Sequence, residues 1–411
     1  MDIVFIHGNY PAQFRHLAAG LGQSGAHRVI FLTAREDANT QPIPGVEIRQ
    51  FTLHRQASEH THHYLKATED AVLKGQAVLR ALIELAAEGI HPRVVISHAG
   101  NGLGLFIKDY LPGALHIGFF EWYFQPSSAE YLLPEADINE RLQIKMRNLP
   151  ILEELNNCDV GVVPTNWQKS QFPKEFWTKL KIIFDGIDTA FFQPDHSIDD
   201  RDISLTGEAY DGELRITKDN LVLSYATRGM ETLRGFPEFM RAASKALEKI
   251  PTLSVVIAGR DRRAYSYDAP THKGSWKAKL LEELGNFPGR ERMHFMGLMP
   301  YVQYRSLLQR SNLHCYFTRP YVTSWSLFEA AASGARLCLS EGPATDGIIE
   351  DRGQAIWVNL DQPRQLENTV VNALRKSNEL KRSSLIPGFE LSACLREWQS
   401  LINSQLQAMK N

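Results

Sequence analysis

The chain has 411 residues, of which 43% are hydrophobic and 22% charged, with a formal net charge of −2. That length calls for more than one domain, most simply two of about 200 residues each. A globular composition with almost no net charge argues against a disordered chain and against a general nucleic-acid binder.

The first apolar run, Ile3 to Ile6, ends in His7-Gly8-Asn9-Tyr10-Pro11, and a helical pattern follows at Phe14, Leu17, Ala18 and Leu21. Further runs lie at Arg28–Leu32 and Val46–Phe51, and residues 64–88 carry a long helical periodicity. Buried strands are expected at Arg93–Ser97, Leu115–Phe120 and Asp159–Val163. Short apolar runs alternating with helices argue for a parallel sheet with crossover helices. Residues 194–219 are polar and acid-rich (Asp195, Asp199, Asp200, Asp202) and read as an interdomain or surface segment. The pattern then restarts with strands at Leu221–Ala226, Leu253–Ala258, Met293–Met296, Leu313–Phe317 and Arg336–Leu339. The run 389–411 is an amphipathic helix that caps the second half or crosses back to the first. The division expected is 1–190 and 191–388, two α/β halves whose ligands bind beyond the carboxyl ends of the strands.

Cys158, Cys315, Cys338 and Cys394 are scattered and form no Cys-x-x-Cys pair, as buried thiols of a reducing compartment would. The opening Met-Asp-Ile-Val-Phe-Ile-His-Gly lacks the basic and long apolar stretches of a signal peptide. No apolar run approaches the roughly 20 residues that span a bilayer. A soluble, cytoplasmic protein is expected.

Residues 318–350 carry the most chemistry. A loop with Tyr321, Thr323, Ser324 and Ser326 leads into Leu327-Phe328-Glu329, then a short apolar run and a Gly/Pro loop. This reads as loop, helix, strand, loop, with the Glu329 carboxylate near a helix start among N–H groups that favour anions. A carboxylate accepts from two sugar hydroxyls and N–H groups hold phosphate, so the stretch suits a nucleotide-sugar. Arg228 and Arg234-Gly235 stand six apart around a strand exit and a helix start. Guanidinium groups there suit a pyrophosphate, and the alternative is a pair of solvated arginines. His98 and Glu121 follow successive strands; their alternatives are a structural histidine and a buried pair with a base. Gly8 and Asn9 at the first strand exit would let backbone approach a ligand. His54, His60, His62 and His63 lack a companion set of Cys or carboxylates and read as a loop and helix start, so no metal is expected. Lys169, Lys174, Lys179 and Lys181 interleave with Phe172, Phe176, Trp177 and Leu180 as a half-buried helix would, an anionic membrane surface being the alternative.

These motifs together resemble family-4 (group 1) retaining glycosyltransferases of the GT-B superfamily. The matches are Arg228 with Arg234-Gly235, Asp185-Gly-Ile-Asp to Phe192-Gln-Pro194, Pro164-Thr-Asn-Trp-Gln168 with Gln171-Phe-Pro173, Gly274-Ser-Trp-Lys277 and Ser324-Trp-Ser-Leu-Phe-Glu329. The resemblance covers most of the chain and implies two Rossmann-like domains facing across a cleft, the second binding the donor. It implies that Arg228 and Arg234 hold the donor diphosphate, that Glu329 binds the ribose, and that main chain at Gly297-Leu298 reads the base. The family's Glu-x7-Glu puts Tyr321 where the first Glu stands, an aromatic substitution shared by one branch of the family, and Gly347 falls where many relatives have Glu. Near the place of a family histidine that touches the donor sugar stands Glu121, a candidate for sugar positioning or transition-state charge, while His98 would contact acceptor or donor.

The expected activity is therefore sugar transfer from a nucleotide-diphosphate donor to a glycan, glycolipid or other hydroxyl acceptor, by retention, in bacterial polysaccharide or glycoconjugate synthesis. The donor is substrate, with neither metal nor organic cofactor. Peripheral contact at the inner face of the cytoplasmic membrane stays open. The rivals are a nucleotide-sugar epimerase of the same architecture and a catalytically degenerate nucleotide-sugar-binding protein.

Overall fold

The computed structural model describes residues 1–267 and 274–410. The chain divides into two compact units. The first comprises Met1–Ala129, Ala136–Gly186 and the chain from Leu391 onward; the second comprises Glu130–Glu135 and Ile187–Glu390.

The first unit is built on β1 (Asp2–His7), β2 (Arg28–Thr33), β3 (Val46–Gln50), β4 (Val94–His98), β5 (Leu115–Phe119), β6 (Val160–Val163) and β7 (Leu180–Ile182). They form one parallel sheet in the order β3-β2-β1-β4-β5-β6-β7. The continuous apolar runs follow from burial on both faces, because side chains alternate across a strand. Ile3, Phe5, Phe31 and Ile96 pack with Leu17, Leu21, Trp398 and Ile402. Val4, Ile6, Ile30 and Val95 pack with Ala77, Val78, Leu82 and Leu85 of helix Lys66–Ala87. The C-terminal helix Leu391–Ala408 thus belongs to the first unit, and its Trp398 stacks on Phe119 at 6.4 Å.

The second unit begins with an antiparallel pair, β8 (Ile203–Gly207) and β9 (Tyr210–Ile216). The segment 194–219, read as an interdomain or surface segment, thus contains two strands that the sequence reading did not foresee. Leu205, Leu214 and Ile216 are buried with Met296 and Leu307, while the other face carries the charges. Then come β10 (Leu221–Gly229), β11 (Leu253–Arg260), β12 (Met293–Gly297), β13 (Leu313–Tyr316), β14 (Leu337–Ser340) and β15 (Ala355–Val358). Their parallel sheet runs β12-β11-β10-β13-β14-β15. The segment around Lys169–Lys181 is not one helix: helix Asn166–Ser170, a 3-10 turn Lys174–Phe176 and β7 divide it. Lys169 Nζ and Lys179 Nζ each cap a backbone carbonyl, of Leu180 and Asn156.

Both sheets are doubly wound. Strand order reverses between β1 and β4 in one and between β10 and β13 in the other. Ligands of such sheets lie outside the carboxyl ends of the strands at the reversal. β1 and β4 end in His7 and His98; β10 and β13 run out into the loops that carry Arg228, Arg234 and Thr318.

Candidate functional site

At the reversal of the first unit the His7 and His98 rings lie 4.3 Å apart. The Asn9 N–H donates to His7 Nδ1 at 2.9 Å, which leaves Nε2–H to donate to Gln13 Oε1 at 3.0 Å. Gln13 Nε2 then donates to Glu121 Oε1 at 2.5 Å, and His98 Nε2 donates to Glu121 Oε2 at 3.2 Å. Burial, and then the neighbouring His98 charge, push the His7 pKa down to about 3, so His7 is neutral near pH 7. Burial would raise the Glu121 carboxyl, but the hydrogen bond and charge of His98, with Gln13, hold it below the usual range. The result is an ionised carboxylate oriented on two sides. Ala12, one residue before Gln13, has φ +44, a left-handed conformation rare for a residue with a Cβ. Asn9 therefore contributes through its backbone, and at Gly8 an added Cβ would meet no atom within 4 Å. Sequence reasoning placed His98 and Glu121 here and missed His7 and Gln13.

Behind this network the loop from Gly100 to Gly104 is held from below. Glu154 on helix Asn148–Asn157 is 1% exposed and accepts the Gly100 N–H at 3.0 Å. Burial pushes its carboxyl up to about 7, against the pull of the loop N–H groups.

At the reversal of the second unit Arg234 is 4% exposed, and Nη1 donates to Thr318 Oγ1 at 2.8 Å and to the Val322 carbonyl at 3.0 Å. Gly235 follows with φ +61, and a Cβ there would meet Phe317 Cβ at 2.6 Å, so the turn from the arginine into helix Phe236–Lys249 requires glycine. Arg228 is exposed, and its Nη1 donates to the Tyr265 hydroxyl at 3.1 Å. Among the described residues neither guanidinium pairs with a carboxylate. Their neighbours differ: Arg260 pairs with Glu208, Arg319 with Glu238 and Asp361, and Arg336 with Asp199.

Glu329 is 6% exposed and accepts the Tyr301 hydroxyl at 2.7 Å. Burial raises its carboxyl above the usual range, the Tyr301 hydrogen bond working the other way. Tyr301 in turn stacks on Phe191 at 6.0 Å, and Phe191 is set by the Asp188 side chain, which accepts its N–H. The Asp185–Pro194 motif thus supports the tyrosine that orients Glu329. One expectation is corrected here. Helix Trp325–Ala332 starts four residues before Glu329, so the carboxylate lies beyond the first turn, where the terminal N–H groups point.

The loop before that helix uses much of its own polarity. Thr323 Oγ1 donates to the Ala344 carbonyl at 2.6 Å, the Ser324 N–H donates to Tyr316 Oη at 2.9 Å, and Ser324 Oγ caps the Ser326 N–H. Leu327 is fully buried, so its side chain faces the core and not a ligand. Tyr321 is 9% exposed, with its ring 5.7 Å from that of Tyr265. Gly297 (φ +68) borders a cavity of about 250 Å³ lined also by Met230, Arg260, Lys277, Phe295 and Glu208. A Cβ at Gly297 would meet Glu208 Cγ at 2.6 Å, and Leu298 O accepts the Glu208 N–H at 2.9 Å, so the β8–β9 turn closes this end. The sequence held no signal for Tyr265, Tyr301 or Glu208.

Among the described residues no group of three or more His, Cys, Asp and Glu could hold a metal ion. The histidine run is local packing: the His62 and His63 rings stack at 4.5 Å and His63 Nε2 bonds Asn139 at 3.0 Å. Among the described residues no helix is long and apolar enough to cross a membrane.

Comparisons with known proteins bear on the fold and the class of protein. Residues 25–192 match the family model described as glycosyl transferase family 4 group. No curated protein sequence matches the chain. Among solved structures, sucrose-phosphate synthase from Thermosynechococcus elongatus shares 13% identity at a TM-score of 0.66, covering 99% of this chain and 100% of that one. Anabaena HepE, solved in complex with UDP and glucose, shares 13% identity at a TM-score of 0.61, covering 98% of this chain and 100% of that one. The UDP-forming α,α-trehalose-phosphate synthase from Burkholderia vietnamiensis shares 12% identity at a TM-score of 0.58, covering 99% of each chain. The fold is GT-B, two Rossmann-like α/β units. The match over residues 25–192 and the glycosyltransferase neighbours of the same fold support a transferase enzyme.

Proposed function

We propose that this enzyme moves a sugar from a nucleoside-diphosphate donor to a hydroxyl of a glycan or glycolipid, with retention at the anomeric carbon. The observation that carries the reading is the pair Arg228 and Arg234, which stand at the β10–β13 reversal without a carboxylate while nearby arginines are paired. A buried cation served only by neutral groups suits an anionic ligand at a position where such sheets bind one. Anabaena HepE, of the same fold, has been solved with UDP-glucose, which supports a nucleotide-sugar donor here.

In this reading the two guanidinium groups hold the diphosphate and stabilise its charge as it leaves. Glu329, oriented by Tyr301, accepts from the ribose hydroxyls. The base takes the cavity beside Gly297. The anomeric bond loosens to an oxocarbenium-like state, and the acceptor hydroxyl attacks from the face of the departing phosphate, which takes the proton. Glu121, ionised and held by His98 and Gln13, supplies negative charge for sugar or acceptor. No protein nucleophile is needed in this scheme.

A thermal-shift screen of nucleoside diphosphates and their sugars tests the reading, because a ligand of the folded state raises its stability by about 2.7 kcal/mol at one hundred times its Kd. One base should stabilise the wild type, and Arg228→Ala and Glu329→Ala should lose both that shift and sugar transfer. Full transfer activity in those variants would overturn the site, and donor turnover to an epimer without acceptor would overturn the reaction.

A further inference from the structure

Tyr265 belongs to none of the sequence motifs, yet the structure seats it against both arginines. Its ring centre lies 5.1 Å from Arg234 Cζ and 5.7 Å from Arg228 Cζ, and its hydroxyl accepts from Arg228. The ring also meets that of Tyr321 at 5.7 Å, tilted by 56°.

This placement is clamped. Glu231 is fully buried, and one of its oxygens, Oε2, accepts the N–H groups of Ala264, Tyr265 and Ser266 at 3.0, 3.1 and 2.9 Å and the Ser266 hydroxyl at 2.8 Å. Glu231 sits between Arg228 and Arg234 in sequence, so the clamp fixes the tyrosine to the segment that carries the arginines.

A guanidinium stacks through its face and donates through its edge. Tyr265 lies against both guanidinium groups and takes one Arg228 N–H through its hydroxyl, which leaves further N–H groups for phosphate oxygens. The sugar of a nucleotide-sugar hangs from the second phosphate by one oxygen, so it must lie against whatever flanks the phosphate contacts. Here that is aromatic. Aromatic side chains with a polar tip suit a ligand that is apolar on one side and wet on the other, as the C–H face of a pyranose is.

We propose that Tyr265 and Tyr321 form the wall that receives the ring face of the donor sugar, with Tyr265 the specificity-determining contact and Glu231 a positioning residue acting through it. This rests on the reading that Arg228 and Arg234 hold the donor diphosphate.

Calorimetric titration with UDP and ADP, and with UDP-glucose and ADP-glucose, separates the two. The quantity read is the ratio of diphosphate Kd to sugar-nucleotide Kd. Tyr265→Ala should cut that ratio about tenfold while the diphosphate Kd moves less than about threefold. Tyr265→Phe should keep the ratio, and Glu231→Gln should retain more of it than Glu231→Ala. A merely structural Glu231 would lower thermal stability and leave the ratio alone. A ratio unmoved in Tyr265→Ala, with the diphosphate still bound, overturns the aromatic wall alone. Wild-type protein that binds neither diphosphate overturns the arginine reading and this inference with it.

Discussion

Replacing each arginine in turn tests the donor site most directly, because the two differ in exposure. A hydrogen bond to a charged group is worth about 1.5–3 kcal/mol, which at 1.4 kcal/mol per decade is about 10- to 150-fold in Kd. Arg228 is exposed and its interaction with phosphate is screened, so Arg228→Ala belongs near the tenfold end. Arg234, at 4% exposure between Thr318, Val322 and Tyr265, works at low local dielectric, so Arg234→Met belongs near the hundredfold end. The salt response should differ as well. With a Debye length of about 10 Å at 0.1 M, raising salt should weaken diphosphate binding in Arg234→Met by the share that Arg228 carries, and leave Arg228→Ala less sensitive. Arg228→Ala should keep its stability within about 0.5 kcal/mol, as surface substitutions do. Calorimetry with the stabilising diphosphate at 0.05 and 0.5 M salt, beside circular dichroism to confirm folding, measures all of this. A folded Arg234→Met protein that binds within threefold of wild type would refute the argument, and a larger loss from Arg228 than from Arg234 would refute its burial step.

Three other outcomes follow from the geometry. Glu329→Gln should erase most of the preference for a ribonucleotide over its 2′-deoxy counterpart, about tenfold, measured by competition binding. Glu121 has a depressed carboxyl pKa, so its contribution to stability is complete above the ordinary carboxylate value of 4.5 and is lost only as pH falls through its lower folded value. Transfer rates should accordingly hold steady down to about pH 5, and Glu121→Gln should lower kcat without moving the midpoint of denaturation by much; an acid limb near pH 6 assigned to Glu121 by its loss in the variant would contradict this. Glu154 has the opposite sign: its carboxyl is raised to about 7 from 4.5, so the native state keeps a proton that the unfolded chain has released, and stability should fall as pH rises between those values. At 1.36 kcal/mol per unit the fall is about 3 kcal/mol at most, and urea midpoints at pH 5 and pH 8 should show it in wild type and not in Glu154→Gln.

Most of the strands that were legible are covered on both faces, β3 at the sheet edge being an exception. Ile3–Ile6 and Val94–Ile96 read as unbroken apolar runs because each side chain meets a helix layer. β7 and β15 escaped because they are the outermost strands on their side of each sheet, three and four residues long and only partly buried. β8 and β9 escaped for a related reason: Tyr210-Asp-Gly-Glu-Leu-Arg-Ile216 buries only its inward residues, and the outward charges dominate a composition-based reading. In the site, Arg228, Arg234 and Glu329 were legible because each stands in a local motif. Gln13, Glu231 and Tyr265 were not, since their roles arise from contacts that fold distant segments together. Gln13 reaches Glu121 across 108 positions and Glu231 holds Tyr265 across 34. No local pattern encodes such a meeting.

The two reversals carry opposite chemistry, and that division argues for which substrate group goes to which unit. In the first unit His7 is held neutral by burial while Glu121 stays ionised beside His98, so the ends of β1 and β4 carry a carboxylate. A diphosphate placed there would meet a fixed like charge, whereas a hydroxyl, or a sugar ring gaining positive charge, would be favoured. In the second unit the ends of β10 and β13 present two guanidinium groups whose direct partners are hydroxyl, carbonyl and aromatic groups, the buried Glu231 carboxylate acting on Arg234 without pairing with it. Burying Arg234 without a carboxylate in direct contact costs stability that Thr318 and Val322 offset only in part. A carboxylate would have served stability better at that position, as it does for Arg319 and Arg336. Its absence leaves the charge available to an anionic ligand, which supports the proposal that the second unit holds the donor diphosphate.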